Sequence, residues 1–264
     1  MASIGSTAGR AVSLILFEHP FNERTRFLIR LEYLFKRLFT FAQSSKADDQ
    51  HVCFGVLFEI MELCDRGDFR AWVLQEIDKQ KANLESYRDY PEVDINVLDD
   101  SIRRLNEVSR NLAATHKLGS HLRDNEWLMA LRSRFLTPGS TSPMDMPSYG
   151  AWLNSAEPER VEAIKQLIRP FLPLYEAIAM VLKTLRDAAE PDFESTRNNG
   201  CFEKSIGGRI YQMARVWVPQ GQRIYPEISG NKHVVMLRFY RLDENFRQHL
   251  IMEPVGFKMA LCNI

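Results

Sequence analysis

Val234-Val235-Met236-Leu237-Arg238-Phe239-Tyr240-Arg241-Leu242 alternates strictly, with Val235, Leu237 and Phe239 on one side and Met236, Arg238 and Tyr240 on the other. A period of two is the spacing of a β-strand with one face in a core. Far upstream the period is different. Phe27, Leu31, Leu34, Phe35, Leu38 and Ala42 recur at steps of three and four, which is the buried stripe of an amphipathic helix. The change falls after Pro191. It predicts an α+β protein, with an N-terminal antiparallel helical bundle over residues 21–190 and a small antiparallel β-sheet domain over 191–264.

Working outward, Ile210, Ala214, Val216 and Val218 alternate with Tyr211, Met213, Arg215 and Trp217, and Phe257, Met259 and Leu261 predict a last strand. Gly207-Gly208 predicts a hairpin turn. Leu14–Phe17 is a short apolar run, so residues 14–20 are expected to form a strand that joins the sheet from the other end of the chain. Residues 1–13 read as a disordered tail by composition.

Among the helices, Asn22 is a good N-cap for the first and Gly67 a natural stop for the second. Asp68 caps a third that runs to Tyr87, and Pro91 sets off a fourth. Gly119 and Ser120 open a fifth that continues to Phe135. A proline-rich loop, 137–147, precedes a short aromatic turn of helix at Ser148–Leu153. Pro170 and Pro173 kink or divide the helix that starts at Pro158.

The 264 residues carry 34 basic and 34 acidic side chains, and 45% are apolar. That is enough for one large or two smaller cores. Zero net charge argues against a general polyanion-binding surface, although the stretch from Pro191 has ten Lys/Arg against seven Asp/Glu. No run approaches the roughly 20 apolar residues that span a bilayer, and the start lacks a basic signal-peptide region, so a cytoplasmic protein is expected. Cys53, Cys64, Cys201 and Cys262 form no C-x-x-C pair and read as free thiols. Gly5–Arg10 lacks the spacing and lysine of a phosphate loop. The histidines form no ligand or acid–base pattern, so no metal, cofactor or catalytic residue is expected.

Arginines carry the chemistry instead. Arg26, Arg30 and Arg37 step by four and seven and line up on the first helix. In the sheet region Arg215, Arg223 and Arg238 recur among aromatics. That mixture suits a protein interface, or alternatively single-stranded nucleic acid, which the neutral net charge disfavours.

Leu16-Phe17-Glu18-His19-Pro20-Phe21-Asn22-Glu23-Arg24-Thr25-Arg26-Phe27-Leu28-Ile29-Arg30-Leu31-Glu32-Tyr33-Leu34-Phe35 resembles the opening of the ZapD family of bacterial cell-division proteins. Arg66-Gly67-Asp68-Phe69-Arg70 and Tyr225-Pro226-Glu227-Ile228-Ser229-Gly230-Asn231-Lys232 agree with it in order and separation. The resemblance implies a cytoplasmic homodimer that binds the tubulin-like protein FtsZ through its flexible C-terminal tail. It further implies bundling of FtsZ filaments at mid-cell, lower GTP turnover by the filament, and no enzyme activity of the chain itself. It places the pocket on basic residues of the helical domain, with Arg30 the matching position and Arg26 one turn earlier; the further candidates are Arg37, Arg66, Arg70 and Arg123, with the sheet's Arg215, Arg223 and Arg238 behind them. Two positions expected to be basic hold Glu126 and Gly150, for which Arg123, Arg132 and Arg134 are nearby substitutes.

Overall fold

The structure, a computed structural model, describes residues 13–65, 67–115, 118–197, 199–221 and 223–264. Arg66, and all of the expected N-terminal tail except Ser13, lie outside them. The chain divides into two compact units, Phe27–Thr184 and a second made of the segment ending at Arg26 together with Leu185–Ile264.

Nine helices are described: α1 (Glu23–Ala42), α2 (Ala47–Asp65), α3 (Phe69–Glu85), α4 (Ile95–Ala113), α5 (Ser120–Arg123), α6 (Glu126–Phe135), α7 (Pro147–Leu153), α8 (Glu157–Ile168) and α9 (Leu172–Asp187). Side-chain caps account for four of these starts, those of α1, α3, α4 and α6. Asn22 Oδ1 accepts from Thr25 N at 2.8 Å, and Asp68 Oδ1 accepts from Ala71 N at 3.1 Å. The expected fifth helix is two: Asn125 Oδ1 takes the Leu128 N–H at 3.0 Å, which starts α6 afresh after the short α5. Pro170 falls in a 3₁₀ turn, Arg169–Phe171, that divides α8 from α9.

Helices α3 and α4 run antiparallel, as cross-links of opposite numbering show. Arg70 reaches Thr115, Lys81 reaches Asn106, and Arg88 reaches Asp99 between the α3 and α4 arms. The apolar stripe of α1 (Leu31, Leu34, Phe35, Leu38) is buried as its spacing predicts. Helix α2 is covered on most sides, with Phe54, Val56, Leu57, Phe58, Ile60 and Met61 all in the core. Phe54 lies within ring contact of Phe58, Trp127, Tyr149 and Trp152. His51 stacks on Phe135, and its Nδ1 lies 3.0 Å from the buried Tyr149 hydroxyl.

In the other unit the strands are β1 (Leu14–Pro20), β2 (Asp192–Ser195), β3 (Cys201–Ser205), β4 (Met213–Pro219), β5 (Ile224–Gly230), β6 (Val234–Leu242), β7 (Gln248–Leu250) and β8 (Gly256–Cys262). They make two antiparallel sheets rather than one, ordered β1-β4-β8-β2 and β3-β6-β5, with β7 also paired to β6. Phe239 of one sheet meets Phe257 of the other at 4.9 Å between ring centroids, inside a core that also holds Val216, Val218, Val235 and Leu237. The N-terminal strand does join, pairing with β4 from Leu14↔Pro219 to Pro20↔Met213. Pro226 is accommodated because β5 is an edge strand, where a missing N–H costs no ladder bond. Ile210 lies outside β4 in a loop and is 78% exposed, so the alternation begins only at Met213. Gly207 and Gly208 occupy a tight turn with φ of +57° and +79°, closed by Arg209 N donating to Ile206 O. That turn links strands of different sheets and is therefore no hairpin.

Phe54→Ala should destabilise the helical unit by about 3–5 kcal/mol, read as an earlier loss of tryptophan fluorescence in urea. Burial holds the His51 imidazole below its ordinary value of 6.5, against a smaller opposing pull from Asp48. Below pH 6.5 the unfolded chain binds a proton that the folded chain resists, so stability falls on acidification towards the lower folded value. The urea midpoint should drop between pH 7 and 5, and His51→Gln should flatten that slope. Part of it should remain, because burial and Arg26 lower His19 likewise.

Candidate functional site: arginine-bearing surfaces

On α1 the face opposite the core displays Arg30, Tyr33 and Arg37, at steps of three and four. Tyr33 is 58% exposed. The Arg37 guanidinium lies 5.6 Å from its ring centroid, and Arg37 Nη1 reaches the Tyr33 hydroxyl at 3.5 Å. Glu32 points away from this stripe; it is nearly buried and pairs with Lys36 at 3.1 Å. Arg30 is exposed and makes no ion pair among the described residues. A planar donor fork beside an aromatic ring is suited to gripping a carboxylate and an apolar group together. Arg26 belongs to the other unit. Its Nε lies 3.3 Å from Glu23, and its Nη2 donates to Pro20 O.

Arg70 and Arg123 line one cleft of about 470 Å³ with Asp65, Asp68 and Phe69. Their guanidiniums are already engaged. Arg70 donates to the carbonyls of Ala113 and Thr115 at 2.8 and 2.9 Å, capping the C-terminus of α4. Arg123 binds Asp65 at 2.5 Å and donates to Leu118 O. Arg132 approaches the other Asp65 oxygen at 3.7 Å, so two cations share one carboxylate there. Cys64 lines the same cleft, and burial pushes its thiol up to about 12, which makes it unreactive. Arg134 is exposed. Glu126 stands in the first turn of α6, where a carboxylate favours the helix dipole. Gly150 is buried in α7, and a Cβ there would lie 2.9 Å from Pro143 Cβ, so no basic side chain fits.

In the sheet unit the three arginines separate. Arg215 on β4 lies over the Trp217 ring at 4.7 Å, approaches Glu18 at 3.3 Å and donates to Arg186 O. Glu18 also takes both arms of Arg186, at 2.8 and 2.7 Å. Arg238 is exposed on β6, directly across from Glu227. Arg223 is exposed ahead of β5 with a φ of +53°. The structure thus groups Arg30 with Arg37 and Arg70 with Arg123. Tyr33 went unremarked in the sequence, although its steps from Arg30 and Arg37 place it between them.

Among the described residues no three His, Cys, Asp or Glu converge as metal ligands, and no helix is long and apolar enough to cross a membrane. The helical unit and the two antiparallel sheets define an α+β protein that displays arginine beside aromatic rings. The chain matches the family described as ZapD, a cell division protein, over residues 29–238. It is 38% identical over 251 residues to the cell division protein ZapD of Bordetella pertussis, covering 95% of this chain and 99% of that one. The Bordetella petrii protein of that name is 36% identical over 250 residues, with 95% and 100% covered. That of a Janthinobacterium species is 34% identical over 251 residues, with the same coverage. The chain belongs to the ZapD family, and its role is in cell division.

The arginines should separate by stability as they do by geometry. Arg70→Ala, which uncaps α4, should cost about 1–2 kcal/mol in urea unfolding, whereas Arg30→Ala should stay within about 0.5 kcal/mol of the parent.

Proposed function

We propose that this protein is a homodimeric cross-linker of FtsZ filaments, acting in the cytoplasm at mid-cell without catalysing a reaction itself. Each copy binds the flexible C-terminal tail of FtsZ, and the dimer joins neighbouring filaments into bundles whose GTP turnover is lowered. The observation that carries this reading is the α1 face, where Arg30, without an ion pair among the described residues, and Arg37 flank an exposed tyrosine. Family membership supplies the cellular setting.

Physical reasoning supports the rest. A two-fold dimer presents the same face twice, and a filament repeats its tail along its length. Weak single contacts then become firm through effective concentration. Exposed arginine–carboxylate pairs are screened beyond about 8 Å at physiological ionic strength, so bundling should weaken as salt is raised.

The test is co-sedimentation with polymerised FtsZ, with and without its tail. The protein should pellet with intact filaments and stay in the supernatant when the tail is removed. Arg30→Glu should abolish bundling while leaving the circular dichroism spectrum unchanged. Bundling by that variant at the parent level would rule out the α1 face.

A further inference from the structure

The turn that joins β6 to β7 has the geometry of a glycine turn and holds a phenylalanine. Asp243 N donates to Arg247 O at 3.0 Å and Phe246 N to Asp243 O at 3.2 Å, which leaves Glu244, Asn245 and Phe246 as the hairpin loop. A loop of this length ends in a left-handed residue, a conformation that glycine adopts without steric cost. Phe246 stands there with a φ of +59°. It is 84% exposed, so no burial within the chain offsets the strain. The loop is firmly held all the same. Asp243 Oδ1 accepts from Asn245 N and Arg247 N at 2.8 and 2.9 Å, and its Oδ2 lies 2.9 Å from His249 Nε2. The result is a fixed aromatic knob on the sheet unit, flanked by Glu244 and Arg247, both exposed.

The helical unit carries a hole. The end of α1, the end of α8 and the start of α9 line an open groove of about 420 Å³. Ala42 and Ile168 are buried at its base, Phe39 is half-buried, and Leu172 is exposed. The Phe39 ring is wedged between Phe35 and Tyr175, at 6.0 and 4.8 Å between centroids, so that wall is preformed. Lys165 and Arg169 stand at the border, exposed and without an ion pair among the described residues. The one carboxylate of the lining, Glu162, already accepts from Gln166 at 2.6 Å.

Knob and hole match in shape and in sign. The groove has room for a phenyl ring and its neighbours, and apolar walls on which to seat it. Glu244, exposed and without an ion pair among the described residues, is opposite in charge to Lys165 and Arg169. We infer that the Phe246 loop of one copy docks in this groove of another, with Phe246 on Phe39 and Leu172 and Glu244 beside Lys165 and Arg169. The contact joins two different surfaces of the chain. It therefore leaves a free knob at one end of a pair and a free hole at the other, and adds copies beyond a two-fold dimer. It needs neither FtsZ nor the α1 face.

The experiment is sedimentation velocity of the full chain alone, from about 1 μM to about 200 μM, the range in which a weak contact fills. The average mass of the parent should rise with concentration past that of two chains. Phe246→Gly, which suits the left-handed turn, should remove the rise without lowering the urea midpoint. Leu172→Glu, an exposed change in the groove, should remove it too, and Glu244→Lys should weaken it by about tenfold. Mixing Phe246→Gly with Leu172→Glu should restore association, because the first keeps its hole and the second its knob. Arg30→Glu should behave as the parent does. A parent mass that never passes two chains, growth of Phe246→Gly equal to the parent's, or a mixture that stays at the mass of its parts would each overturn the inference.

Discussion

Phe27 lies flat on Phe69 with ring centroids 3.5 Å apart, and six residues earlier Phe21 closes against the backbone of Gly230. These two rings belong to one short stretch of chain, and each is an anchor in a different unit. Full burial of such a ring is worth about 1.5–3 kcal/mol of transfer free energy, of which the partly buried Phe21 and Phe27 gain a share, with more from ring contacts. The stacked pair seats the start of α3 on α1, while Phe21 lies against the end of β5. Each of the two later segments that carry the family resemblance therefore contacts the first one, at one of these rings within its own unit. Gly230 is tied to the contact by sterics, because any side chain there collides with Phe21.

Around this frame the arginines divide by what lies within reach of their forks. Where helix-end carbonyls are exposed, as at Ala113 and Thr115, the guanidinium becomes a cap and holds an element in place. Where a half-buried carboxylate is at hand, as Glu18 is for Arg186 and Arg215, the charges close on one another. Where neither is near, an arginine's donors face solvent. Arg30 is such a case. Net neutrality conceals this division, because paired and unpaired cations count alike in a sum.

Legibility followed the range of the interactions. The α1 stripe, the Asn22 and Asp68 caps and the β6 alternation were all readable, since each depends on residues a few positions apart. Strands β2, β3, β5 and β7 were not assigned. The first, second and last of these are short, and β5 carries a proline that its edge position tolerates. The break between α5 and α6 was missed because Asn125 was passed over as a cap inside an apolar pattern.

By itself the sequence determined the fold class, the capped starts of α1 and α3, the joining of an N-terminal strand to the sheet and the family. Local periodicity and side-chain capping encode the first two, and long quoted segments carry the last. Tertiary structure alone decided that there are two sheets, since alternation says which face is buried and never against what. It also decided which arginines are engaged: Arg70 and Arg123 look like Arg30 on paper, and differ from it only in the carbonyls and carboxylate that folding brings within 3 Å of them.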